Sequence, residues 1–147
     1  MRKKNTLLFL TVMISAPIFA SVSLPEKDAL IKLYIATNGS QWKNKWDLNA
    51  PVSKWYGVKL SNDKVISIDL TNNNLLGELP TELGSLVYLQ KLKLTRNSIS
   101  GTIPASIGEM KFLKIMNISF NKLTGTIPTS IGKMNDLILL ELFMNKL

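Results

Sequence analysis

The chain contains no cysteine and no histidine among its 147 residues. Without cysteine it can form no disulfide bond, no thiolate nucleophile and no cysteine-ligated metal site. Without histidine it lacks the commonest general base and the commonest nitrogen ligand for zinc. These absences exclude most hydrolase and metalloenzyme designs. The sequence therefore predicts no catalytic residue, no metal site and no cofactor.

The first twenty residues have the three-part layout of a secretory signal peptide. Arg2, Lys3 and Lys4 form a positive start, residues 7–19 are mostly apolar, and Ala20 is a small residue at a plausible cleavage point. The apolar run is shorter than the roughly 20 residues that a membrane-spanning helix needs. We expect residues 1–20 to be a cleaved signal and the remainder to be exported to the periplasm, the cell surface or the medium. No transmembrane segment is expected beyond the signal.

The charge of the chain falls once this segment is set aside. The whole chain carries +8, but three of its 18 basic residues lie within residues 1–20, so the remainder carries +5. Its lysines are scattered, and no basic run is interleaved with aromatic residues, which argues against a nucleic-acid partner. Attraction to acidic polymers stays open beside the simpler interpretation of a soluble, lysine-rich surface.

A repeat of 24 residues fills the second half of the chain, from Val65 to Leu147. A period of that length indicates a solenoid, whose coils must stack because none can bury its apolar face alone. Each coil is predicted to contain a strand, a turn, a second short extended stretch and a brief 3₁₀-like turn, with the strands of successive coils in parallel. The repeating asparagines are predicted to form a buried ladder. They are Asn73, Asn97, Asn121 and Asn145.

Two consecutive copies, residues 92–104 and 116–128, resemble leucine-rich repeats of the plant-specific subtype, whose signature is LxLxxNxLxGxIPxxLGxL. The resemblance implies an α/β fold: a right-handed superhelix with a parallel sheet on its concave side, short 3₁₀ or helical turns on its convex side, and an N-terminal helical cap. About three and a half repeats occupy residues 65–147. Because the fourth copy lacks its glycine and its isoleucine-proline pair, we expect a truncated part of a longer protein. The alternative is a short natural protein that pairs through its open end.

Residues 23–64 are predicted to form the N-terminal cap of the solenoid. A helix of about 12 residues is expected to begin near Ser23 and to end at Asn38. Trp42, Trp46 and Trp55 follow, either as a carbohydrate platform or, as we favour, as apolar cover for the first coil. Residues 55–58 resemble the cap of the plant family, which usually carries a flanking cysteine pair. The absence of that pair leads us to expect an exported bacterial member.

A binding surface is predicted on the concave side, where the outward positions of successive strands form columns about 4.8 Å apart. A basic strand could contact an acidic ligand or could pair with Asp69. An apolar group could anchor a partner or could be covered by further coils. The predicted contact residues are Asp69, Lys91, Lys93, Arg96, Ile115, Asn117, Ser119, Phe120, Glu141, Phe143 and Met144.

The predicted function is non-enzymatic recognition of a protein, peptide or glycan on this concave face. The alternative is the sensory or adhesion ectodomain of a longer protein, an enzyme or a receptor, whose C-terminal part lies beyond Leu147. Catalysis within the visible residues is disfavoured because the carboxylates are scattered and the serines and threonines lack a base. Purely structural adhesion differs from specific recognition only in valency and affinity.

Overall fold

The structure, a computed structural model, describes residues 21–147. The predicted signal peptide, residues 1–20, lies outside the described residues. Helix α1 spans Leu24–Ala36, with Ser23 at its N-cap and Pro25 in its first turn. Pro25 is favourable there because the first turn has no intrahelical acceptor for its missing N–H. Asn38, just beyond the helix, adopts a left-handed φ of 56° and turns the chain away, close to the predicted end.

One five-stranded sheet forms the concave side of the solenoid, in the order β1, β2, β4, β6, β7. Its strands are β1 (Val58–Ser61), β2 (Lys64–Asp69), β4 (Lys91–Lys93), β6 (Ile115–Asn117) and β7 (Leu139–Glu141). Strands β2, β4, β6 and β7 run parallel in a register offset by one repeat, as predicted. Strand β1 was not predicted, since its residues were expected to form part of the cap without a strand. It pairs with β2 antiparallel through a two-residue turn at Asn62 and Asp63, both with positive φ.

Each coil continues from the sheet into a second extended stretch and a 3₁₀ turn, as the repeat predicted. Strands β3 (Leu76–Glu78) and β5 (Ser98–Ser100) pair in parallel and form a second sheet. The 3₁₀ turns span Thr81–Ser85, Ala105–Glu109 and Thr129–Lys133, and each follows the repeat proline. The fold is therefore the predicted solenoid, with a parallel concave sheet and short turns on the convex side.

The repeating asparagines hydrogen-bond each coil to the coil before it. Asn97 Oδ1 accepts the backbone N–H groups of Asn73 and Leu75, each at 3.0 Å, and Asn97 Nδ2 donates to the carbonyl of Leu70 at 2.9 Å. Asn121 and Asn145 each make one bond of both kinds, accepting the N–H of Ile99 or Leu123 and donating to the carbonyl of Leu94 or Ile118. A side-chain amide suits this place because it can accept and donate at once. The predicted ladder is present, with Asn73 and Asn121 buried and Asn97 and Asn145 partly buried.

The three tryptophans are buried in the cap and pack on one another. The ring of Trp46 stacks on that of Trp55, with centroids 4.8 Å apart, and meets the edge of Trp42 at 4.9 Å. Each indole N–H donates to a backbone carbonyl, for example Trp42 Nε1 to Thr37 O at 2.9 Å. Buried and satisfied in this way, the rings offer no face to a sugar. Their arrangement favours the apolar-cover interpretation over the carbohydrate platform.

The cap takes the place of a missing upstream coil. Helix α1 packs on the 3₁₀ turn Thr81–Ser85, as the later 3₁₀ turns pack on one another. The Oδ1 atom of Asn73 accepts the backbone N–H of Asn44 at 2.8 Å, which is the bond that later ladder asparagines make to the preceding coil. Glu26 is buried as well, and its Oε1 accepts the N–H of Val65 at 3.0 Å. No periodic pattern in the sequence indicated this buried carboxylate.

Candidate functional site

The concave sheet aligns six of the predicted contact residues in two straight columns, as their spacing requires. Parallel pairing aligns the outward positions of four strands, and the inward residue between them is fully buried in β2, β4 and β6 and partly buried in β7. The first column is Ser67, Lys91, Ile115 and Leu139, and the second is Asp69, Lys93, Asn117 and Glu141. Along the solenoid the first column changes from polar to basic to apolar, whereas the second is acidic, basic, polar and acidic in turn.

A hydrogen-bond network joins the polar members of this surface. Glu141 accepts a hydrogen bond from Asn117 Nδ2, and Asn117 Oδ1 accepts the hydroxyl of Ser119 at 2.6 Å. The hydroxyl oxygens of Ser119 and Thr95 lie 2.9 Å apart. Ser119 is only 1% exposed, so it holds the network from below and presents almost no surface to a ligand. The spacing of the repeat placed Ser119 on the concave face but carried no information on its exposure.

The Asp69 carboxylate is used within its own turn. Its Oδ1 accepts the hydroxyl of Thr71 at 2.7 Å and the N–H of Thr71 at 3.2 Å. These bonds are local, of the kind that aspartate makes two residues ahead in turns. The Oδ1 atom is therefore bound by Thr71, and not by Lys93 as in the alternative of a cross-strand ion pair.

Large apolar side chains collect at the end of the concave face, where the strands of the last two coils finish. We call this group, formed by Phe120, Phe143 and Met144, the aromatic corner. The rings of Phe120 and Phe143 meet edge to face with centroids 5.2 Å apart, and the guanidinium of Arg96 lies 5.5 Å from the Phe120 centroid. The three side chains are 39%, 53% and 65% exposed. Exposed aromatic rings held by neighbours in this way are typical of recognition surfaces.

The backbone beneath this corner has a left-handed conformation. The residue before each ladder asparagine has a positive φ, in a column formed by Asn72, Arg96, Phe120 and Met144, at 53°, 57°, 54° and 56°. A bulky residue in this region costs of order 1 kcal/mol or more. The ladder fixes the conformation, because the asparagine can reach both coils only when the chain turns sharply before it. Arg96, Phe120 and Met144 thus project from a fixed backbone.

Two further lysines lie beside the predicted residues and were missed. A cleft of about 250 Å³ opens at the entry end of the concave sheet, lined by residues that include Lys59, Gln90, Lys91 and Lys114. Lys59 was missed because β1 was not predicted, and Lys114 because it precedes its strand. The alternation of Val58 and Leu60 with polar residues before Asn62 was the available signal for β1.

The remaining chemistry of residues 21–147 is sparse. In this part of the chain no cluster of three or more acidic side chains could hold a metal ion. The pKa of Glu82 is lowered, first by a backbone hydrogen bond and then by the Thr81 hydroxyl, which favours the ionised form. Among the described helices, none is long and apolar enough to span a membrane. A second cavity, of about 550 Å³, lies between Ser21 and Pro51 at the outer end of the cap, away from the concave face.

The repeats match known proteins in both sequence and structure. The profile of the Leucine Rich Repeat family matches residues 64–86, 88–110 and 112–134, and each match contains one concave strand and the 3₁₀ turn after it. Over 78 residues the chain is 40% identical to a probable leucine-rich repeat receptor-like protein kinase of Arabidopsis thaliana. The match covers 43% of the chain and 8% of that relative.

Two solved structures support the same conclusion. The structure of the BIR3–SERK2 complex from Arabidopsis thaliana is similar with a TM-score of 0.66 and 31% identity, over 80% of this chain and 67% of that one. The plant peptide hormone receptor RGFR1 in complex with RGF2 is similar with a TM-score of 0.52 and 36% identity, over 53% of this chain and 12% of that one.

The fold is therefore a leucine-rich-repeat solenoid. Its repeats are of the plant type, and its relatives include plant receptor-like kinases. The chain spans less than a tenth of the length of the curated relatives that it matches.

Proposed function

We propose that this chain is an exported, non-enzymatic module that recognises a protein, peptide or glycan through its concave face. The observation that carries the proposal is the aromatic corner, where three large apolar side chains stay exposed next to one another. RGFR1, a peptide hormone receptor, has the same fold and supports the idea of a peptide ligand. Interface energy is commonly concentrated in a few aromatic and arginine side chains, and Arg96 adjoins Phe120 here.

The test is a selection of peptides and glycans on the immobilised chain, from a random peptide display library and a glycan array. Binders are then measured by calorimetry against the double variant Phe120→Ala/Phe143→Ala. We expect this variant to lose binding by a factor of about 1,000, since two anchors of about 2 kcal/mol each are removed. Its melting temperature should fall by only about a few degrees, because both rings are partly exposed.

The matched control is a second exposed aromatic pair at the entry end of the coils. The rings of Tyr88 and Phe112 are stacked with centroids 5.8 Å apart, and the side chains are 41% and 48% exposed. Replacing both by alanine should leave the affinity for the selected ligands unchanged. Equal loss in the two double variants, or unchanged binding after loss of the aromatic corner, would contradict the proposal.

The export part of the proposal depends on residues 1–20, with bacterial origin supported by the cysteine-free cap. Expression in a bacterium with and without residues 1–20, followed by mass measurement of the periplasmic product, tests it. A product beginning close to residue 21 is the expected result. Retention of the full-length product in the cytoplasm contradicts export.

A second candidate is the sensory or adhesion ectodomain of a longer protein. It is favoured by the curated relatives, which are receptor-like kinases, and by the small share of their length that the chain matches. Reading the gene beyond codon 147, together with the mass of the native product, distinguishes the two candidates. An open reading frame that continues in the same 24-residue period supports the longer protein.

A further inference from the structure

The cleft at the entry end of the concave sheet has a short side chain at its base and long side chains on either side. Its volume is about 250 Å³. Across the sheet, Lys59 on β1 faces Ser67 on β2, which faces Lys91 on β4, and Ile115 on β6 follows. Strands lie about 4.8 Å apart, so a single serine between two lysines leaves a gap one strand wide. The serine side chain is too short to fill it, and the cleft results.

Three lysines line this gap, and no carboxylate does. Lys59 and Lys91 stand on either side of the serine, Lys114 lies in the chain just before β6, and no aspartate or glutamate is among the lining residues. Asp69, the acidic residue at the far end of β2, accepts a hydrogen bond from Thr71. The three lysine positions span roughly 15 Å, about twice the Debye length at physiological salt, so only a group that lies between them interacts with all three charges. An anion in the cleft would lie there.

We propose that the cleft binds a phosphate monoester group carried by the ligand. A phosphate monoester carries between one and two negative charges near neutral pH and three acceptor oxygens, which match three ammonium groups better than a single carboxylate does. Gln90 supplies an amide at the same opening. The inference rests on the proposed function in one respect, that the concave face is where a ligand lies. The phosphate group itself is tested without that ligand.

The first experiment is an NMR titration of the full 147-residue chain with inorganic phosphate, followed through backbone and lysine Nζ signals. Saturating shifts confined to residues around Ser67, Gln90 and Lys91 are expected. Substituting glutamine for Lys59, Lys91 and Lys114 together should weaken binding by at least about tenfold, since hydrogen bonds to charged groups are lost. Mannose 6-phosphate should bind like inorganic phosphate, and mannose should not bind.

Two control variants separate a site from general attraction. Lys111, Lys122 and Lys133 are exposed and outside the cleft, and replacing all three by glutamine removes the same charge. This control triple should bind phosphate nearly as the unaltered chain does. Ser67→Leu keeps the net charge and fills the gap, and it should abolish the local shifts. Circular dichroism of each variant checks that the fold is retained.

Several outcomes would overturn the inference. They are equal weakening in both lysine triples, shifts spread over the whole surface, or acetate binding as tightly as phosphate. Vesicles containing phosphatidic acid test whether the phosphate belongs to a membrane lipid. If the chain binds these vesicles but does not bind mannose 6-phosphate, the ligand is a lipid and the proposal of a soluble ester is contradicted. The Phe120→Ala/Phe143→Ala variant should keep phosphate binding. If the peptide and glycan selection fails while phosphate still binds, the proposed role of the aromatic corner is refuted and the phosphate proposal is not.

Discussion

The two ends of the solenoid bury equivalent residues to very different degrees. In the first coil Val65, Ile68 and Leu70 are fully buried, whereas their equivalents in the last coil, three repeats later, are only partly buried. The repeat sequence is similar in both places, and what differs is the neighbour. Burial in a solenoid is therefore a property of the stacked pair of coils, and a coil's contribution to stability depends on which side is covered.

The first coil is well buried because each element of the cap replaces one feature of a preceding coil. Helix α1 stands in for a 3₁₀ turn, β1 for a concave strand, and the backbone of Asn44 for the atoms that a ladder asparagine normally bonds. Nothing among residues 21–147 performs these roles for β7. Substitutions at matched places on the two ends should therefore have unequal effects.

The largest difference is expected between two aromatic residues. Trp46→Ala removes a buried ring that packs against Trp42 and Trp55, and should lower the free energy of unfolding by about 3–5 kcal/mol. Phe143→Ala removes a half-exposed ring at the other end and should cost less than about 1 kcal/mol. Urea unfolding followed by circular dichroism measures both. Similar losses would mean that the two ends are equally well packed.

A smaller difference is expected along the asparagine ladder. Asn97→Ala leaves two N–H groups and the carbonyl of Leu70 without their partner between two covered coils, and should cost about 2–3 kcal/mol. Asn145→Ala leaves one N–H group, that of Leu123, and the carbonyl of Ile118 without their partner at the last coil, where water can replace it, and about 1 kcal/mol is expected. The same unfolding experiment applies, with hydrogen exchange of the Leu75 and Leu123 amides as a local probe. A costlier change at Asn145 would contradict the ranking.

Two glycines of one repeat column give the last comparison, in which the change at Gly132 has the smallest effect expected. A β-carbon at Gly84 would clash with the carbonyl oxygen of Ser106 in the next coil, so Gly84→Ala should cost about 1–3 kcal/mol. At Gly132 an added β-carbon meets nothing within 4 Å. Gly132→Ala should therefore be neutral or stabilise by up to about 0.5 kcal/mol. Thermal unfolding of the two variants measures the difference. Equal losses of stability would show that packing against the next coil does not explain the glycine at position 84.

The sequence predicted what the period controls. One spacing predicts the parallel strands, the ladder, the 3₁₀ turns and the columns of the concave face, because the backbone of each coil follows the same path. The aperiodic features could not be predicted in this way. Strand β1 and the buried Glu26 belong to the cap, where no second copy exists for comparison. Strand β1 has only its local alternation as a signal, and Glu26 bonds Val65, which lies far away in the chain.

Site residues were predictable by position but not by exposure. Phe120 and Phe143 lie on the exposed corner where their column placed them, whereas Ser119 is almost fully covered, because the larger side chains around it decide its access to solvent. The cleft escaped prediction for a related reason. It depends on the small size of Ser67 relative to neighbours on other strands, and spacing along the chain carries no information about such differences in size.

The asparagine ladder also bears on how proteins of this shape can change over generations. The side chain of each ladder asparagine from Asn97 onward bonds only within its own coil and to the coil before it. A duplication or loss of one 24-residue unit would therefore leave every remaining junction chemically intact. The concave columns would gain or lose one member in the same event. Unequal recombination could thus redraw the ligand surface in a single step, while the inherited scaffold keeps its bonding pattern.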